Sequence, residues 1–343
     1  MPGAAIAAAP PPVPSGFVAV TDGAGSLQIS QFTLDGALVR RLTTGPTNHN
    51  FPSLSPDGRQ LVFTGDEGGR SEIYRRDLRP GAPATRLTRE PITATSPSWA
   101  PDGKSIVYSA LVPGAAAYQI FVAHADGSSP AQLTHTTDAG NTQPVYSLDG
   151  RRIAYISGHE ATAPGANGSA ITMFVNRIWV MGADGSNPRP LTSGPRDAYP
   201  QWLGSETLFF AREDVARDTS AILSVGLGGQ ERSQSPEALR FIEPRPLPDG
   251  RSYGATIEES GGLHLVRISR ADGALLNVSR PSDYLVHRLR LPATDGSAFT
   301  LAWIMSPAPA EKSGNAVLMV VIALALVAVL LIGSLGVVRL KKN

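Results

Sequence analysis

The chain of 343 residues contains 35 glycines, 29 prolines and no cysteine, and its formal net charge is +1. The lack of cysteine excludes disulfides, thiol catalysis and cysteine-ligated metal sites, and the near-neutral charge gives no field that would attract nucleic acid. Glycine and proline make up roughly a fifth of the residues, with aromatic and β-branched runs between them, which indicates many short strands joined by turns.

The chain begins with an Ala- and Pro-rich segment, residues 1–15, and its first basic residue is Arg40. The segment has no basic n-region and only a short apolar run, so it is not a complete signal peptide. Its Ala7-Ala8-Ala9 run fits the small-residue cleavage pattern. We therefore interpret residues 1–15 as the remnant of a signal peptide whose start lies upstream of Met1.

Five related stretches follow, each beginning with a proline: PSLSPDG, PSWAPDG, PVYSLDG, the degraded PQWLGSE, and PRPLPDG, starting at Pro52, Pro97, Pro144, Pro200 and Pro244. The prolines are 45, 47, 56 and 44 residues apart. A period of about 45 residues is the length of a four-stranded propeller blade. The longest interval contains residues 158–175, rich in Gly, Ala, Pro and Thr, which we predict to form one enlarged loop.

Each repeat divides into four predicted strands with two Asp-Gly turns. In the second repeat the strands are residues 96–100, 105–110, 118–124 and 132–134, and the turns contain Asp102 and Asp126. Paired Asp-Gly turns at fixed offsets are a strong hairpin signal. They also argue against calcium sites, since each Asp lacks the neighbouring oxygen ligands that calcium needs.

Residues 17–43 supply only three strands. We expect the missing one to come from residues 284–291, so that strands from both ends complete a sixth blade and leave no exposed sheet edge. Residues 299–305 then form an extra strand or an extended connection. The predicted fold is all-β, a six-bladed β-propeller of four-stranded antiparallel blades over residues 16–305, plus one C-terminal transmembrane α-helix.

The stretch PSWAPDGKSIVY, followed by QIFVAHADG and QLT, resembles the blade repeat of the TolB-like six-bladed β-propellers. The resemblance extends over about residues 16–300 and is specific for the fold, because several copies occur in register. It implies little about function, because the motif residues belong to turns and core. Members of this family bind partner proteins in the periplasm, and similar propellers form the non-catalytic half of prolyl-peptidase-like enzymes.

Residues 316–338 carry no charge and are long enough to span a bilayer as a helix. A linker, residues 306–315, precedes them, and a basic tail, residues 339–343, follows. The positive-inside rule places this tail in the cytoplasm and the propeller outside, in a single-pass cell-membrane protein. The alternative is a cytoplasmic tail-anchored protein.

No catalytic motif is recognisable: the chain lacks G-x-S-x-G, metal-type histidine spacing and a phosphate-binding glycine loop. We predict no cofactor, no metal and no catalytic residue, with a metal shared by His49 and His287 as a minor alternative. The loops that lead into the first strand of each blade vary between repeats and surround the channel mouth, where propellers bind ligands. The candidate binding residues are Asn48, His49, Asn50, Thr95, Asn141, Gln143, Tyr199, Arg245, Tyr284 and His287.

The expected function is that of a non-catalytic scaffold or sensor that binds a protein, peptide or glycan at these loops and does not bind nucleic acid. The competing expectation is a propeller hydrolase or lyase with its active site at the same channel mouth. An enzyme predicts carboxylates and a histidine, or a metal, that converge on one cavity, whereas a binding module predicts a polar and aromatic surface.

Overall fold

The structure, a computed structural model, describes residues 13–22, 25–33, 38–89, 91–164, 170–214, 217, 219–235, 240–246, 252–259, 262–269, 275–277 and 302–306. Within these ranges every regular element is a β-strand, which confirms the all-β prediction. The same ranges contain no helix that is long and apolar enough to cross a membrane. Residues 1–12 and 316–338, with the predicted leader and membrane helix, lie outside the described residues.

The strands of the described residues form five sheets. Sheet 1 contains β1 (Val13–Asp22), β2 (Leu27–Thr33) and β3 (Leu38–Arg41), and sheet 2 contains β4 (His49–Leu54), β5 (Gln60–Gly65), β6 (Glu72–Asp77) and β7 (Ala84–Arg86). Sheet 3 contains β8 (Thr93–Trp99), β9 (Ser105–Leu111), β10 (Gln119–His124) and β11 (Ala131–Gln132). Sheet 4 contains β12 (Gly140–Tyr146), β13 (Arg152–Pro164), β14 (Ala170–Gly182) and β15 (Arg189–Pro190).

Sheet 5 has eight strands, in two antiparallel halves. The first half contains β16 (Asp197–Leu203), β17 (Thr207–Asp214), β18 (Thr219–Gly226) and β19 (Glu231–Ser233). The second half contains β20 (Arg240–Pro246), β21 (Ser252–Glu259), β22 (Gly262–Ser269) and β23 (Leu275–Asn277). One parallel pair, Ser220 with Arg240, joins the halves. The fold is thus a propeller of four-stranded antiparallel blades, although its strands form five sheets rather than the six that we predicted.

A strand from the C-terminal side completes sheet 1. This strand, β24 (Ala302–Ser306), pairs antiparallel with β1, from Val13 opposite Ser306 to Val18 opposite Ala302. The prediction that strands from both ends share one sheet is confirmed, but the strand is not the one expected. Residues 284–291 lie outside the described residues, and β24 occupies the place beside β1 that we had assigned to them.

The predicted enlarged loop at residues 158–175 is wrong, because β13 and β14 continue through it. Their pairing runs without interruption from Arg152 opposite Gly182 to Pro164 opposite Ala170. The neighbouring β12 stops pairing at Gly158. The last six pairs, from His159 opposite Val175 onward, therefore form a two-stranded hairpin that projects beyond the sheet.

The strand register separates two faces of the propeller. The Asp-Gly turns join the first strand to the second and the third to the fourth, so they lie at the same end of each sheet. The opposite end carries the loops that lead into the first strands and the connections from second to third strands, including the projecting hairpin. We call these the turn face and the loop face, and the arrangement agrees with the prediction from the repeats.

The core lies between neighbouring sheets. Val20 and Ile29 of sheet 1 pack with Phe63 of sheet 2, and Tyr108 of sheet 3 packs with Val62 and Ile73 of sheet 2. Each buried side chain of this size contributes about 1.5–3 kcal/mol relative to exposure. Alternate residues of one strand thus face the two neighbouring sheets. This explains why the second strands are apolar on both faces.

Two tryptophans of the repeated motif also link adjacent sheets. The indole N–H of Trp99 donates to the carbonyl of Ser53 at 3.2 Å, and that of Trp202 donates to the carbonyl of Val145 at 3.1 Å. In both pairs the donor belongs to one sheet and the acceptor to the first strand of the preceding sheet. The motif tryptophan therefore fixes the spacing of neighbouring first strands.

A hydroxyl residue two positions after each fourth strand has a repeated hydrogen-bonding role. The hydroxyl of Thr88, just beyond β7, accepts the backbone N–H of Ile73 at 2.9 Å, and the same bond joins the third strand to the segment after the fourth strand in other sheets. The equivalent pairs are Ile29 with Thr43, Ile120 with Thr134, Ile178 with Thr192, and Ile222 with Ser235. Because the isoleucines are buried, each hydroxyl satisfies a donor that water does not reach.

The Asp-Gly turns are structural, as expected. The carboxylate of Asp57 accepts hydrogen bonds from the Ser55 hydroxyl at 2.6 Å and from the backbone N–H of Arg59 at 3.1 Å. These two bonds, the serine bond first, hold the pKa of Asp57 below its usual value. Gly127 of a third-to-fourth turn has a φ of 84°, and a Cβ there would lie 2.6 Å from the Leu87 carbonyl of the adjacent sheet. This glycine is required for close packing between sheets.

Candidate binding site in the channel

The first strands contain an unusual backbone feature at the leading prolines. In β4, β8, β12 and β16 the register shifts at the dipeptide that ends in proline, which marks a β-bulge. The residue before each proline has a left-handed conformation: Phe51 (φ 51°), Ser96 (φ 54°), Gln143 (φ 50°) and Tyr199 (φ 56°). The same distortion thus occurs at the same place in four successive blades.

Proline accounts for part of this geometry. It has no N–H to donate to a sheet ladder, so it is tolerated at a bulge, and it disfavours the right-handed helical region for the residue before it. A left-handed conformation still costs a non-glycine residue about 1–2 kcal/mol. Strained residues of this kind cluster at functional sites, where the rest of the fold holds them in place.

The four bulges meet in the channel. First strands of neighbouring sheets contact one another, β4 with β8, β8 with β12, and β12 with β16. Their distorted segments enclose a cavity of about 50 Å³. It is lined by Phe51, Pro52, Ser53, Ser96, Pro97, Ser98, Gln143, Pro144, Val145, Tyr199, Pro200 and Gln201. These side chains offer proline rings, aromatic rings, hydroxyls and amides, groups that stack and hydrogen-bond.

Hydrogen bonds between blades hold strained residues in place. The side-chain oxygen of Gln143 accepts the backbone N–H of Tyr199 from the next blade at 3.1 Å. The Thr64 hydroxyl accepts the N–H of Ser96 at 3.1 Å, also across a blade boundary. The first bond fixes the bulges of β12 and β16 relative to each other, and the second fixes the bulge of β8 to β5.

A buried ion pair anchors β16 just before Tyr199. Asp197 is fully buried, and its carboxylate accepts two hydrogen bonds from Arg212, at 2.6 and 3.0 Å. Arg212 also donates two bonds to Glu231 at 2.6 and 2.9 Å. Burial alone would lower the pKa of Arg212, but the bonds to both carboxylates outweigh it and raise that pKa. The network joins β16, β17 and β19 of the blade.

Of the predicted binding residues, Gln143 and Tyr199 line the channel cavity. Asn48 is exposed and its amide donates to Asp66 at 2.9 Å. Asn50 and Asn141 are buried; the side-chain oxygen of Asn50 accepts the N–H of Phe51, and the amide of Asn141 donates to Gln119 and Thr136. Thr95 is half-buried near Thr64. The asparagines therefore support the loops beside the cavity.

His49 has a defined role between two sheets. It is 4% exposed, with Nδ1 3.0 Å from Oε1 of Gln28 and Nε2 2.8 Å from the carboxylate of Glu67. The amide nitrogen of Gln28 donates to Ser26, Gly45 and Thr47, which orients its oxygen toward His49 and makes Nδ1 a donor. Both ring nitrogens are thus occupied by protein groups. The described residues contain no group of three or more His, Asp or Glu placed to hold a metal ion.

The remaining predicted binding residues lie in the second half of sheet 5 or outside the described residues. Arg245 lies in β20, where a register shift between Ile242 and Arg245 repeats the bulge of the other first strands. By this register Glu243 takes the place of Tyr199, and Pro244 that of Pro200. Tyr284 and His287 lie outside the described residues.

Phe51 and Ser96 line the cavity but were absent from the predicted set. A signal was present, because each directly precedes a leading proline, as do Gln143 and Tyr199. The cavity lining comprises the residue before each leading proline, the proline itself and the residue after it.

Comparison with known proteins supports the fold. Residues 1–111 match the family described as the TolB beta propeller domain. TolB from Acinetobacter baumannii superposes with a TM-score of 0.64 at 16% identity, over 87% of this chain and 69% of that one. The chain therefore has a TolB-like β-propeller fold.

Two further solved structures show how widely this fold is used. One is described as a nidogen/laminin complex, with a TM-score of 0.56 at 13% identity over 84% of this chain and 98% of that one. The other is a puromycin hydrolase, with a TM-score of 0.56 at 19% identity over 79% of this chain and 47% of that one. No curated protein matches the sequence. At these identities the likeness shows the fold and leaves function to the site.

Proposed function

We propose that the protein is a non-catalytic binding scaffold or sensor that receives a segment of a protein partner at the loop-face mouth of the channel. The observation that carries the proposal is the ring of four bulges whose strained residues surround one cavity. Strain maintained at the same place in four blades, beside stacking and hydrogen-bonding groups, fits a preorganised recognition surface.

The projecting hairpin favours a protein partner over a small ligand. It rises from the loop face, and its residues 170–176, AITMFVN, carry no charge. Phe174 is 52% exposed, one of three large hydrophobic side chains exposed among the described residues. A two-stranded ribbon is marginally stable by itself, and a partner segment that packs on it would extend the contact beyond the small channel cavity.

We also propose that the propeller has six blades. Both halves of sheet 5 are four-stranded antiparallel meanders, and each begins with a first strand that is bulged at a proline. One residue pair joins them, whereas strands within each half pair along most of their length. With β24 in sheet 1, the blades then number six, as the repeat period predicts.

Display at the membrane is a further part of the proposal, and it rests on the sequence. Residues 316–338 would anchor the propeller, with the basic tail in the cytoplasm and the binding face outside the cell. Protease treatment of intact cells distinguishes the two orientations. Digestion of the propeller in intact cells supports the external location, and protection until lysis would support the cytoplasmic alternative.

A site-specific cross-linking experiment tests the binding proposal. A photoreactive phenylalanine analogue replaces Tyr199 or Phe174 in the membrane-embedded full-length protein, and Leu148 serves as the control because it is 62% exposed on the turn face. We expect one adduct of the same mass from positions 199 and 174, lost when Phe51→Ala is added. Equal labelling from position 148, or no adduct from 199, would contradict the proposal.

A further inference from the structure

A second cavity lies on the turn face of sheet 2, away from the channel. It has a volume of about 440 Å³, within the range of pockets that hold small molecules. The ends of β5 and β6 and the β6–β7 loop enclose it, and its polar lining comes from Gln60, Arg75, Arg76, Asp77, Arg79 and Thr85. Pro80 and Pro83 stiffen the loop that forms its wall.

The arginines of this cavity can be compared with the residues at the equivalent positions of the other blades. Pairing places Gln60 opposite Asp77, Ser105 opposite His124 and Arg152 opposite Gly182, so these positions are equivalent. One residue earlier, Arg76 corresponds to the buried apolar residues Phe32, Ala123, Met181 and Val225. Two residues earlier, Arg75 corresponds to the uncharged residues Gln31, Val122, Val180 and Ser224, and to Arg267 in the second half of sheet 5. The fold itself therefore does not require arginine at either position.

The β6–β7 loop also carries a positive charge that the two loops of equal length lack. Six residues join β6 to β7, as they join β10 to β11 and β14 to β15. Arg79 takes the second of these six positions, where the other two loops have Asp126 and Asp184. Those aspartates accept hydrogen bonds from serines within their own turns. A turn-stabilising negative charge is thus replaced by a positive one in sheet 2 only, among these three loops.

The arginines are held in place but not neutralised. Arg75 donates to the Ala125 carbonyl of sheet 3 at 2.8 Å, and Arg76 donates to the Leu42 carbonyl of sheet 1. Carbonyl partners orient a guanidinium group without cancelling its charge. Asp77 is the one carboxylate in the described lining, and it already accepts bonds from Arg79 at 2.8 Å and from Gln60 at 2.9 Å.

Arg76 is in an unfavourable environment without a ligand. Its Nε is buried and has no hydrogen-bond partner among the described residues. Burial lowers the pKa of Arg76, and the like charge of Arg40 from sheet 1 lowers it further. Arg40 donates to the Leu78 carbonyl at the start of the β6–β7 loop, so the fold keeps these two cations close together. An anion nearby would offset the repulsion.

We propose that this cavity binds a small ligand through a phosphate group. Planar guanidinium groups such as those of Arg75 and Arg79 match the oxygens of phosphate and bind them in pairs. Gln60 and Thr85 add an amide and a hydroxyl, and Asp77 positions Arg79, whose side chain is 82% exposed. The phosphate comes from a free phosphate compound or from a phosphodiester headgroup. This site is independent of the proposed channel function.

Isothermal titration calorimetry on the full chain in a neutral detergent tests the proposal. The probes are inorganic phosphate and glycerophosphoglycerol, a soluble phosphodiester, each titrated at constant ionic strength against a chloride control. The variants Arg75→Val and Arg76→Ala introduce the residues that sheet 3 has at these positions, so they suit the fold. Arg79→Gln changes an exposed side chain, and Arg151→Gln is the matched control on the turn face of sheet 4.

We expect the unmodified protein to bind at least one probe and Arg151→Gln to bind it equally well. Arg75→Val and Arg79→Gln should each weaken binding about tenfold or more, since each removes charge-assisted hydrogen bonds. Preference for inorganic phosphate indicates a free phosphate ligand, and preference for the diester indicates a headgroup. Binding no stronger than that of chloride, or binding unchanged in Arg79→Gln with the native melting temperature, would overturn the proposal.

Discussion

At the residue scale, the backbone of the position before each leading proline links the repeat to the channel. Four different side chains, Phe51, Ser96, Gln143 and Tyr199, share this left-handed conformation. The conformation therefore follows from the proline and the bulge rather than from the side chain itself. The side chain is left free to vary, which is what a recognition surface built on a constant scaffold requires.

This strain predicts different effects of one substitution at two neighbouring serines. Ser96 has a φ of 54°, whereas Ser98 lies in the same strand β8 and is not among the residues with positive φ. A β-branched residue is unfavourable at positive φ and favourable in a strand. Ser96→Val should lower the free energy of unfolding by about 1–3 kcal/mol. Ser98→Val should change it by less than about 0.5 kcal/mol.

Urea denaturation of both variants measures the difference, and Ser96→Gly separates strain from crowding. Glycine adopts positive φ without penalty, so relief of strain should offset its greater chain entropy and leave stability within about 1 kcal/mol of the unmodified protein. If Ser96→Val and Ser98→Val were equally stable, the left-handed conformation would not constrain position 96.

At the scale of strands, the repeated sequence motifs predicted the positions of most turns and strands. The Asp-Gly turns and the strands between them were predictable because turn chemistry and apolar alternation are local. The Leu-Thr pairs, which we predicted within the fourth strands, follow those strands instead. The hydrogen bond from Ile73 to Thr88 was not predictable, because it depends on the register between strands. Ser235 makes the same bond within the sequence Ser-Gln-Ser, which does not resemble the Leu-Thr pairs of the other sheets.

Two predictions relied on local sequence signals alone: the loop at residues 158–175 and the strand at residues 284–291. Residues 158–175 are rich in Gly, Ala and Pro, which have low β-propensity, so they suggested a loop. The part of β13 and β14 that lies within sheet 4 sets the register, and the two strands continue in that register through these residues. This pairing outweighs the low β-propensity of the segment. Ala293-Thr294-Asp295-Gly296 resembles a turn of the repeat, so residues 284–291 were preferred over the shorter strand β24. Pairing between distant segments cannot be read from such local signals.

The repeated hydroxyl contact predicts graded effects on stability for two substitutions at Thr88, which follows the fourth strand of sheet 2. Thr88→Val retains the shape of the side chain but removes the acceptor for the buried N–H of Ile73. An unsatisfied buried donor costs about 1–3 kcal/mol, so the variant should be less stable by that amount. Thr88→Ser keeps the hydroxyl, and Ser235 shows that serine is sufficient in an equivalent position. Thermal denaturation should rank the unmodified protein and Thr88→Ser above Thr88→Val.

Hydrogen exchange of the Ile73 amide provides the control for this prediction. The amide should lose protection in Thr88→Val and keep it in Thr88→Ser, while amides of sheet 4 stay unchanged in both. A Thr88→Val variant as stable as Thr88→Ser would mean that another acceptor replaces the hydroxyl.

At the scale of the whole molecule, β24 is the strand on which the first sheet depends. Without it, β1 would present an unpaired edge from Val13 to Val18. Because β24 comes from the C-terminal part of the sequence, its pairing covers that edge and joins β1 to the last part of the propeller. The stability of the propeller should therefore depend on a short segment far from its core motifs.

Two truncations test this dependence. A chain that ends at residue 308 keeps β24, whereas one that ends at residue 298 lacks it; both lack residues 316–338, so the comparison isolates the strand. Loss of the hydrogen bonds between β24 and β1 should cost about 3–5 kcal/mol, a large part of the 5–15 kcal/mol typical of folded domains. The shorter chain should therefore melt at a much lower temperature or without a cooperative transition. A synthetic peptide of residues 299–308 should restore the transition in proportion to its concentration, because it supplies the missing strand. Identical melting curves for the two truncated chains would show that sheet 1 is stable without closure.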